Sequence, residues 1–378
     1  MAGSCPRRAP AAAARSPDRD DVGVGIGHAE RAEAVVLATL VGVPASAIVL
    51  AHGAEPYLRR CVDALVDDAA VSEILVVDNA ADPAALATVR ALPRVSVLQP
   101  GANLGFAGGC DYAAARARED AFVFVNSDAV VQPGAGAALL HRLADPQVGL
   151  VGATARLADQ PHLLNTAGNP VHYLMFSWVG GLGQPAPPVD ADIQEVASVS
   201  GVAFAVRREV WEQLGGFDEQ YFAYCEDVDL SLRAWQAGYR VVVDPAAVVW
   251  HHYEYGRTAT KHYLLERNRL INLLTLPERR TRRLVAAPAL AVEAGVVVVA
   301  VRDGWWRDKL AGWRWLAVNR RQLAQRRRRV EAGRRVRDRQ LARLLRGALD
   351  PPQGVGVAVP AVVSRALDCY WGWAVSRL

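Results

Sequence analysis

A chain of 378 residues with 52% hydrophobic and 22% charged residues fits one large α/β domain or two domains, and is too apolar for a disordered chain. The net charge of +4 says little about partners, but its distribution is uneven: residues 302–346 are rich in arginine, with four in a row from Arg326 to Arg329. Five scattered cysteines (Cys5, Cys61, Cys110, Cys225, Cys369) lack CxxC or metal-ligand spacing, which excludes a cysteine-built zinc site and points to reduced thiols.

Residues 1–20 carry arginines and alanines with no apolar stretch behind them. They read as the start of a poorly ordered extension, expected to run to residue 44, rather than as a secretory signal. AIVLA at 47–51 is a short apolar run expected as the buried first strand of a parallel sheet. Residues 56–65 have helical spacing, and EILVV at 73–77 is a second strand expected to stop at Asp78-Asn79. A carboxylate just past the carboxyl end of a parallel strand stands where open α/β sheets hold ligands. A helix at 84–92 and a strand at 95–98 lead to NLGFAGG at 103–109, a glycine-rich loop expected ahead of a helix at 110–118. Such a loop lets backbone amides approach a ligand closely, or is simply a turn; it is neither GxGxxG nor a Walker loop.

AFVFV at 121–125 is a strand running into Asn126-Ser127-Asp128. That polar end needs a partner, either a hydrated divalent cation bound to phosphates or a local turn or cap. A helix at 133–143 and a strand at 148–153 follow. Residues 159–192, rich in Gly, Pro and aromatics, show no period and read as a flap or surface excursion. Residues 196–206 are strand-like and 209–214 helical.

Next comes GGFDEQYFAYCEDVDLSLR at 215–233, dense in acids and aromatics. Its helical reading places Asp227 in a first turn, where the positive dipole end steadies a carboxylate, and pairs Asp229 with Arg233 at i,i+4. Asp227 beside Glu226 among aromatics reads as a general base or as an acidic helix start. Strands at 239–243 and 247–250 end in His251-His252, and a helix at 260–274 carries Arg267-Asn268. Arg267 meets a phosphate or pairs with Glu266 or Glu254. Tyr173 and Trp178 stack on a sugar or pack in the core, and His252 reads as a structural neighbour.

The order of these motifs resembles the family 2 glycosyltransferases, in particular their bacterial rhamnosyltransferase-like branch. The matching stretches are VVDNAADP (76–83), NLGFAGG (103–109), FVNSDA (124–129), GGFDEQYFAYCEDVDLSLRAWQAGYR (215–240), VVWHH (248–252) and Arg267-Asn268. The resemblance implies an α/β fold of GT-A type with a mainly parallel sheet over residues 45–275, followed by a helical region at 276–378. It implies inverting transfer of a sugar, rhamnose as the first choice, from a nucleotide-diphosphate donor to a cell-wall, polysaccharide or lipid-linked glycan. By the same resemblance Asp78 contacts the base, and Asn103, Gly105, Phe106, Asn126 and Asp128 line the donor site. Asp128 and His251 hold Mg²⁺ or Mn²⁺, and Asp227 is the base with Glu226 beside it. The chain departs from the family at Ala51-His52-Gly53, where Thr/Asn-Tyr-Asn is usual, and at Asn126, which opens the D-x-D. Those departures feed the alternative of a catalytically inactive sugar- or partner-binding subunit.

No stretch has about 20 uninterrupted apolar residues; the nearest, 284–301, contains Pro288 and Glu293. With Trp305, Trp306, Trp313 and Trp315 and the arginines of 302–346, the tail reads as a module for an anionic membrane surface, salt-sensitive in its binding, with nucleic acid set aside. The expected location is cytoplasmic, peripheral on the inner face of the cell membrane.

Overall fold

The computed structural model describes residues 44–252, 261–352 and 359–378. The extension at 1–43 and Glu254 lie outside the described residues. The first half lays down β1 (Ala45–Gly53), α1 (Leu58–Asp67), β2 (Val71–Ala81), α2 (Pro83–Ala87), β3 (Val95–Leu98), α3 (Gly105–Ala114) and β4 (Ala121–Asn126). Strands β3-β2-β1-β4 are all parallel. Because successive side chains leave opposite faces of a strand, Ala45, Ala47, Val49 and Ala51 enter one core while Ile48 enters the other. Both faces are covered, which is why these strands read as continuous apolar runs.

The chain steps outward from β1 to β2 and β3 and then returns to the other side of β1 as β4. That reversal opens a crevice at the carboxyl ends of β1 and β4, the usual ligand position of an open α/β sheet. Beyond it come β5 (Ala129–Val131), α4 (Ala135–Leu143), β6 (Val148–Leu157), β7 (Gln160–Thr166), β8 (Val171–His172), β9 (Gln194–Glu195) and β10 (Ala203–Arg207). After α5 (Arg208–Leu214) and α6 (Glu226–Gln236), β11 (Arg240–His251) completes the sheet in the order β3-β2-β1-β4-β10-β6-β11-β5. β10 is antiparallel to both neighbours, whereas β11 runs parallel to β6.

Several boundaries differ from the sequence reading. β2 continues through Asp78-Asn79 to Ala81, because β1 extends alongside it to Gly53. The strands expected at 239–243 and 247–250 are one strand, irregular between Asp244 and Val248. Pro245 lies in that irregularity, as a residue without a ladder donor must. NLGFAGG does not precede its helix: α3 starts at Gly105, within the motif. The excursion at 159–192 contains β7 and β8, and within 196–206 only the end, from Ala203, is strand.

The chain closes with α7 (Lys261–Thr275), α8 (Arg279–Arg302), α9 (Trp306–Val318), α10 (Arg320–Gly333), α11 (Asp338–Leu341), β12 (Leu345–Arg346, paired with β8) and α12 (Ala361–Val375). These helices share a core with the rest: Val228 and Leu232 of α6 cluster with Val285, Val330, Leu367 and Trp371. Tyr173 is buried there, stacked on Trp371 with ring centroids 4.7 Å apart, and Trp178 packs against the same cluster. Pro288 does not break α8. The Leu284 carbonyl, which Pro288 cannot serve, accepts instead from the Tyr370 hydroxyl at 2.6 Å. Nor is the arginine-rich stretch a solvated face throughout: Lys309 and Arg326 are buried among carboxylates.

Candidate active site

At the end of β2 the half-buried Asp78 accepts from the Ala81 N–H at 3.2 Å. Its neighbour Asn79 is buried and does more to shape the site. Asn79 Oδ1 accepts from Leu104 N–H (2.7 Å), and its Nδ2 donates to Gly105 O (3.3 Å). The Asn79 carbonyl faces His52 Nδ1 at 2.8 Å. Asn79 therefore ties the first-strand loop to the start of α3. Asn103 Oδ1 accepts from Gly105 N–H at 2.8 Å and leaves Asn103 exposed at the crevice.

Gly105 cannot be another residue. Its φ is +71°, and a Cβ there would lie 2.3 Å from the Phe222 carbonyl oxygen. That carbonyl also accepts from Ala107 N–H at 3.1 Å, so α3 is clamped to the segment leading into α6. Within that segment Phe222, Tyr224 and Cys225 all have positive φ (62°, 71°, 66°). Three non-glycine residues in this region need support from outside. Asn268 Nδ2 donates to the carbonyls of Tyr221 (3.0 Å), Ala223 (2.8 Å) and Tyr224 (2.7 Å), while Arg267 Nη2 donates to Gln220 O and Tyr221 O. The sequence reading gave Arg267 to a phosphate or an ion pair; it is instead buried on backbone carbonyls. Arg326 adds a second brace from α10, bonding Asp229, Asp218, the Tyr221 hydroxyl and Thr275.

The braced segment delivers Glu226 and Asp227 to the first turn of α6. Asp227 Oδ2 accepts from Gly201 N–H at 3.2 Å and from Asn169 Nδ2 at 3.3 Å, while Oδ1 accepts from Val228 N–H at 2.8 Å. Burial raises this carboxyl above its ordinary range, opposed by the amides of Val228 and Gly201. Glu226 is more deeply buried, and its Oε2 has no hydrogen-bond partner among the described residues. Burial and then the adjacent Asp227 push it well up. Asp229 goes the other way: burial alone would raise it, but Arg233 and Arg326 hold it below the usual carboxyl range. Cys225 is buried, which raises its thiol and leaves it a filler.

Gly201 joins the two halves of the crevice. A Cβ there would sit 3.7 Å from the Phe106 ring and 4.0 Å from Asp227 Oδ2. The next residue, Val202, accepts from the Asn126 N–H at 2.8 Å. Phe106, Asn126 and Asp227, widely separated in sequence, thus meet around one turn. Asn79, Asn169 and Gly201 were not singled out in the sequence. Asn79 had a signal, a second polar residue at a strand end, whereas Asn169 lies in a stretch without period and Gly201 in one read as strand.

Where β4 turns into β5, Asp128 Oδ1 lies 3.2 Å from Nε2 of the buried His251, at the end of β11. His251 Nδ1 meets Asn165 Oδ1 of β7 at 2.9 Å. Were a metal bound at Nε2, Nδ1 would donate to that amide oxygen, the orientation a second-shell oxygen gives a metal-binding imidazole. An oxygen and an imidazole nitrogen converging in this way fit a divalent cation. Among the described residues no three His, Cys, Asp or Glu form such a group. His252 stacks on Tyr57 with ring centroids 3.7 Å apart, a packing role.

The family described as "Glycosyltransferase like family 2" matches residues 44–272, more than half of the chain. An N-acetylglucosaminyl-diphospho-decaprenol L-rhamnosyltransferase of Mycobacterium tuberculosis is 30% identical over 246 residues, covering 58% of this chain and 80% of that protein. The O-antigen biosynthesis protein RfbC of Myxococcus xanthus is 28% identical over 231 residues, covering 58% of this chain and 18% of that one. Among solved structures, GalNAc-T7 with UDP, GalNAc and Mn²⁺ superposes with a TM-score of 0.50 at 16% identity, over 56% of this chain and 43% of its own, a likeness of fold. Crevice, motif order and family match agree: the chain belongs to the family 2 glycosyltransferases and has a GT-A type fold.

Proposed function

We propose that this glycosyltransferase moves a sugar, with inversion, from a nucleoside-diphosphate donor to a hydroxyl of a glycan carried on a lipid or growing polysaccharide. The observation that carries the reading is the Asp227 carboxylate. It is desolvated, held by three N–H donors and presented on a helix N-terminus beside Phe106 and the turn at Gly201. Two of those donors occupy Oδ2, which leaves Oδ1 the better proton acceptor. Oδ1 takes the proton of the acceptor hydroxyl as that oxygen bonds to the anomeric carbon, and the bond from that carbon to the diphosphate oxygen breaks. No covalent enzyme intermediate is needed, so one carboxylate suffices. Glu226, pointing about 100° away on the helix, is left to tune its neighbour.

Asp78 and Asn103 would meet the nucleoside, and Gly105 and Phe106 would line the sugar pocket. Asp128 and His251 would hold Mg²⁺ or Mn²⁺, which when bound supplies positive charge against the departing diphosphate. Rhamnose is the first donor sugar to test, since the mycobacterial relative is an L-rhamnosyltransferase whose name specifies a lipid diphosphate acceptor. Purified protein is incubated with a panel of nucleotide sugars, dTDP-rhamnose and UDP-sugars included, with Mg²⁺ or Mn²⁺, and released nucleoside diphosphate is measured. One or more donors should turn over and transfer to a polyprenyl-diphosphate sugar. Binding of a donor without hydrolysis or transfer under any condition would replace the proposal with an inactive binding subunit.

A further inference from the structure

α8 is a single helix of 24 residues whose most apolar stretch has a mean hydropathy of 2.4, yet only 17% of that stretch is buried. The exposed positions are not scattered. Ala287, Leu290, Ala294, Val298 and Val301 recur at three- and four-residue steps, so they form one stripe on the outward face. Leu290, Val298 and Val301 are 73%, 68% and 61% exposed. Between Arg283 and Arg302 the one charged side chain is Glu293, and it is turned away to Arg269, Lys309 and the Trp313 indole. The stripe is about 21 Å long at 1.5 Å per residue. It continues sideways: Tyr370 bonds the Leu284 carbonyl, so the exposed Trp373 of α12 lies nearby, and Trp306 and Leu310 of α9 follow its far end.

One end of the stripe is cationic, with Arg279, Arg280 and Arg283 exposed; at the other, Arg302 pairs with Asp303 and Arg307 stands beside Asp308. This pattern selects the occupant. A bilayer offers acyl chains to the stripe, its interface to the exposed Trp306 and Trp373, and anionic headgroups to the exposed Arg279, Arg280 and Arg283. The opposite face of α8 buries Val285, Pro288 and Ala300 against the protein. On that side the helix packs on the domain.

We propose that the outward face of α8 is a membrane-docking surface, lying in the plane of an anionic bilayer with its apolar stripe among the acyl chains. Attachment is then chiefly hydrophobic, in contrast to the salt-sensitive, arginine-driven binding expected from residues 302–346. The inference stands apart from the proposed reaction. Full-length protein is floated with phosphatidylcholine vesicles, with and without phosphatidylglycerol, at low and at molar salt. Wild type should float with the mixed vesicles at both salts. Leu290→Glu/Val298→Glu, both at exposed positions, should lose at least about tenfold in partitioning, given the apolar area withdrawn. Arg320→Gln/Arg321→Gln should change it far less, and a milder Val298→Ser variant with an unchanged melting curve guards against misfolding. Release of wild type by salt, or unchanged flotation of the glutamate variant, overturns the proposal. So does a lipid-free dimer that the glutamate variant abolishes, since a second copy would then own the stripe.

Discussion

Replacing Asp227 with Asn tests the proposed chemistry most directly, and the structure sets its side effects. The Asn amide keeps its oxygen best at the Oδ2 position, where Gly201 N–H and Asn169 Nδ2 both donate. Its NH₂ then faces Val228 N–H, so one hydrogen bond is exchanged for a donor–donor contact. That costs about 1–3 kcal/mol. Against it, a buried carboxylate next to Glu226 is neutralised, which removes one cause of the raised Glu226 carboxyl. The two effects oppose each other, so the melting temperature should move by less than about 4 °C. Loss of a proton acceptor is far larger, about 10²–10⁴ in transfer rate, or roughly 3–5 kcal/mol in the barrier. The assay is transfer to a sugar acceptor alongside calorimetric titration of donor. Near-wild-type transfer by Asp227→Asn would refute the assignment, and a loss of donor affinity matching the loss of rate would recast Asp227 as a donor-binding residue.

Glu226→Gln should reduce transfer less than Asp227→Asn, and its stability should depend on pH in a defined way. A carboxyl raised in the folded state favours folding below the ordinary carboxyl range, and that contribution is lost as pH rises through its raised value. The Gln variant therefore gains melting temperature relative to wild type as pH rises above about 4, and a difference independent of pH contradicts the burial argument. Asp128→Ala and His251→Ala should weaken nucleoside-diphosphate binding with Mg²⁺ or Mn²⁺ present but little in EDTA; equal losses in both would make the pair structural. Asn268→Ala removes the donor shared by three loop carbonyls. It should cost about 1–3 kcal/mol of stability and depress transfer more than donor affinity, with unchanged melting and kinetics as the contrary result.

What tertiary structure adds is clearest at the loop before α6. Composition marks residues 215–225 as unusual, but three consecutive-in-space positive φ values at Phe222, Tyr224 and Cys225 are not implied by their residue types. They persist because Asn268 and Arg267, more than 40 residues later, donate to that backbone, while Arg326, about 100 residues later, holds the flanking side chains of Asp218, Tyr221 and Asp229. A run of four arginines looks like solvated charge in a linear reading. Packing sends Arg326 inward to Asp229 and leaves Arg327, Arg328 and Arg329 outside, because successive helical residues point about 100° apart.

Local chemistry by itself determined the strands of the sheet's first half, the polar residues at their ends and the helical phase of Asp227, since these follow from period, turn residues and charge within a few positions. The choice between alternatives was made only by the fold. β10 inserts antiparallel between β4 and β6, and the turn before it carries Gly201 between Phe106 and Asp227. β11 brings His251 beside Asp128 across 123 residues. Tyr370, some 80 residues after Pro288, donates to the Leu284 carbonyl that Pro288 leaves unpaired within one continuous helix. A period of 2 or 3.6 residues fixes which way a side chain leaves its own element; which side chain it will meet depends on contacts between elements remote in sequence, and only the folded chain supplies those.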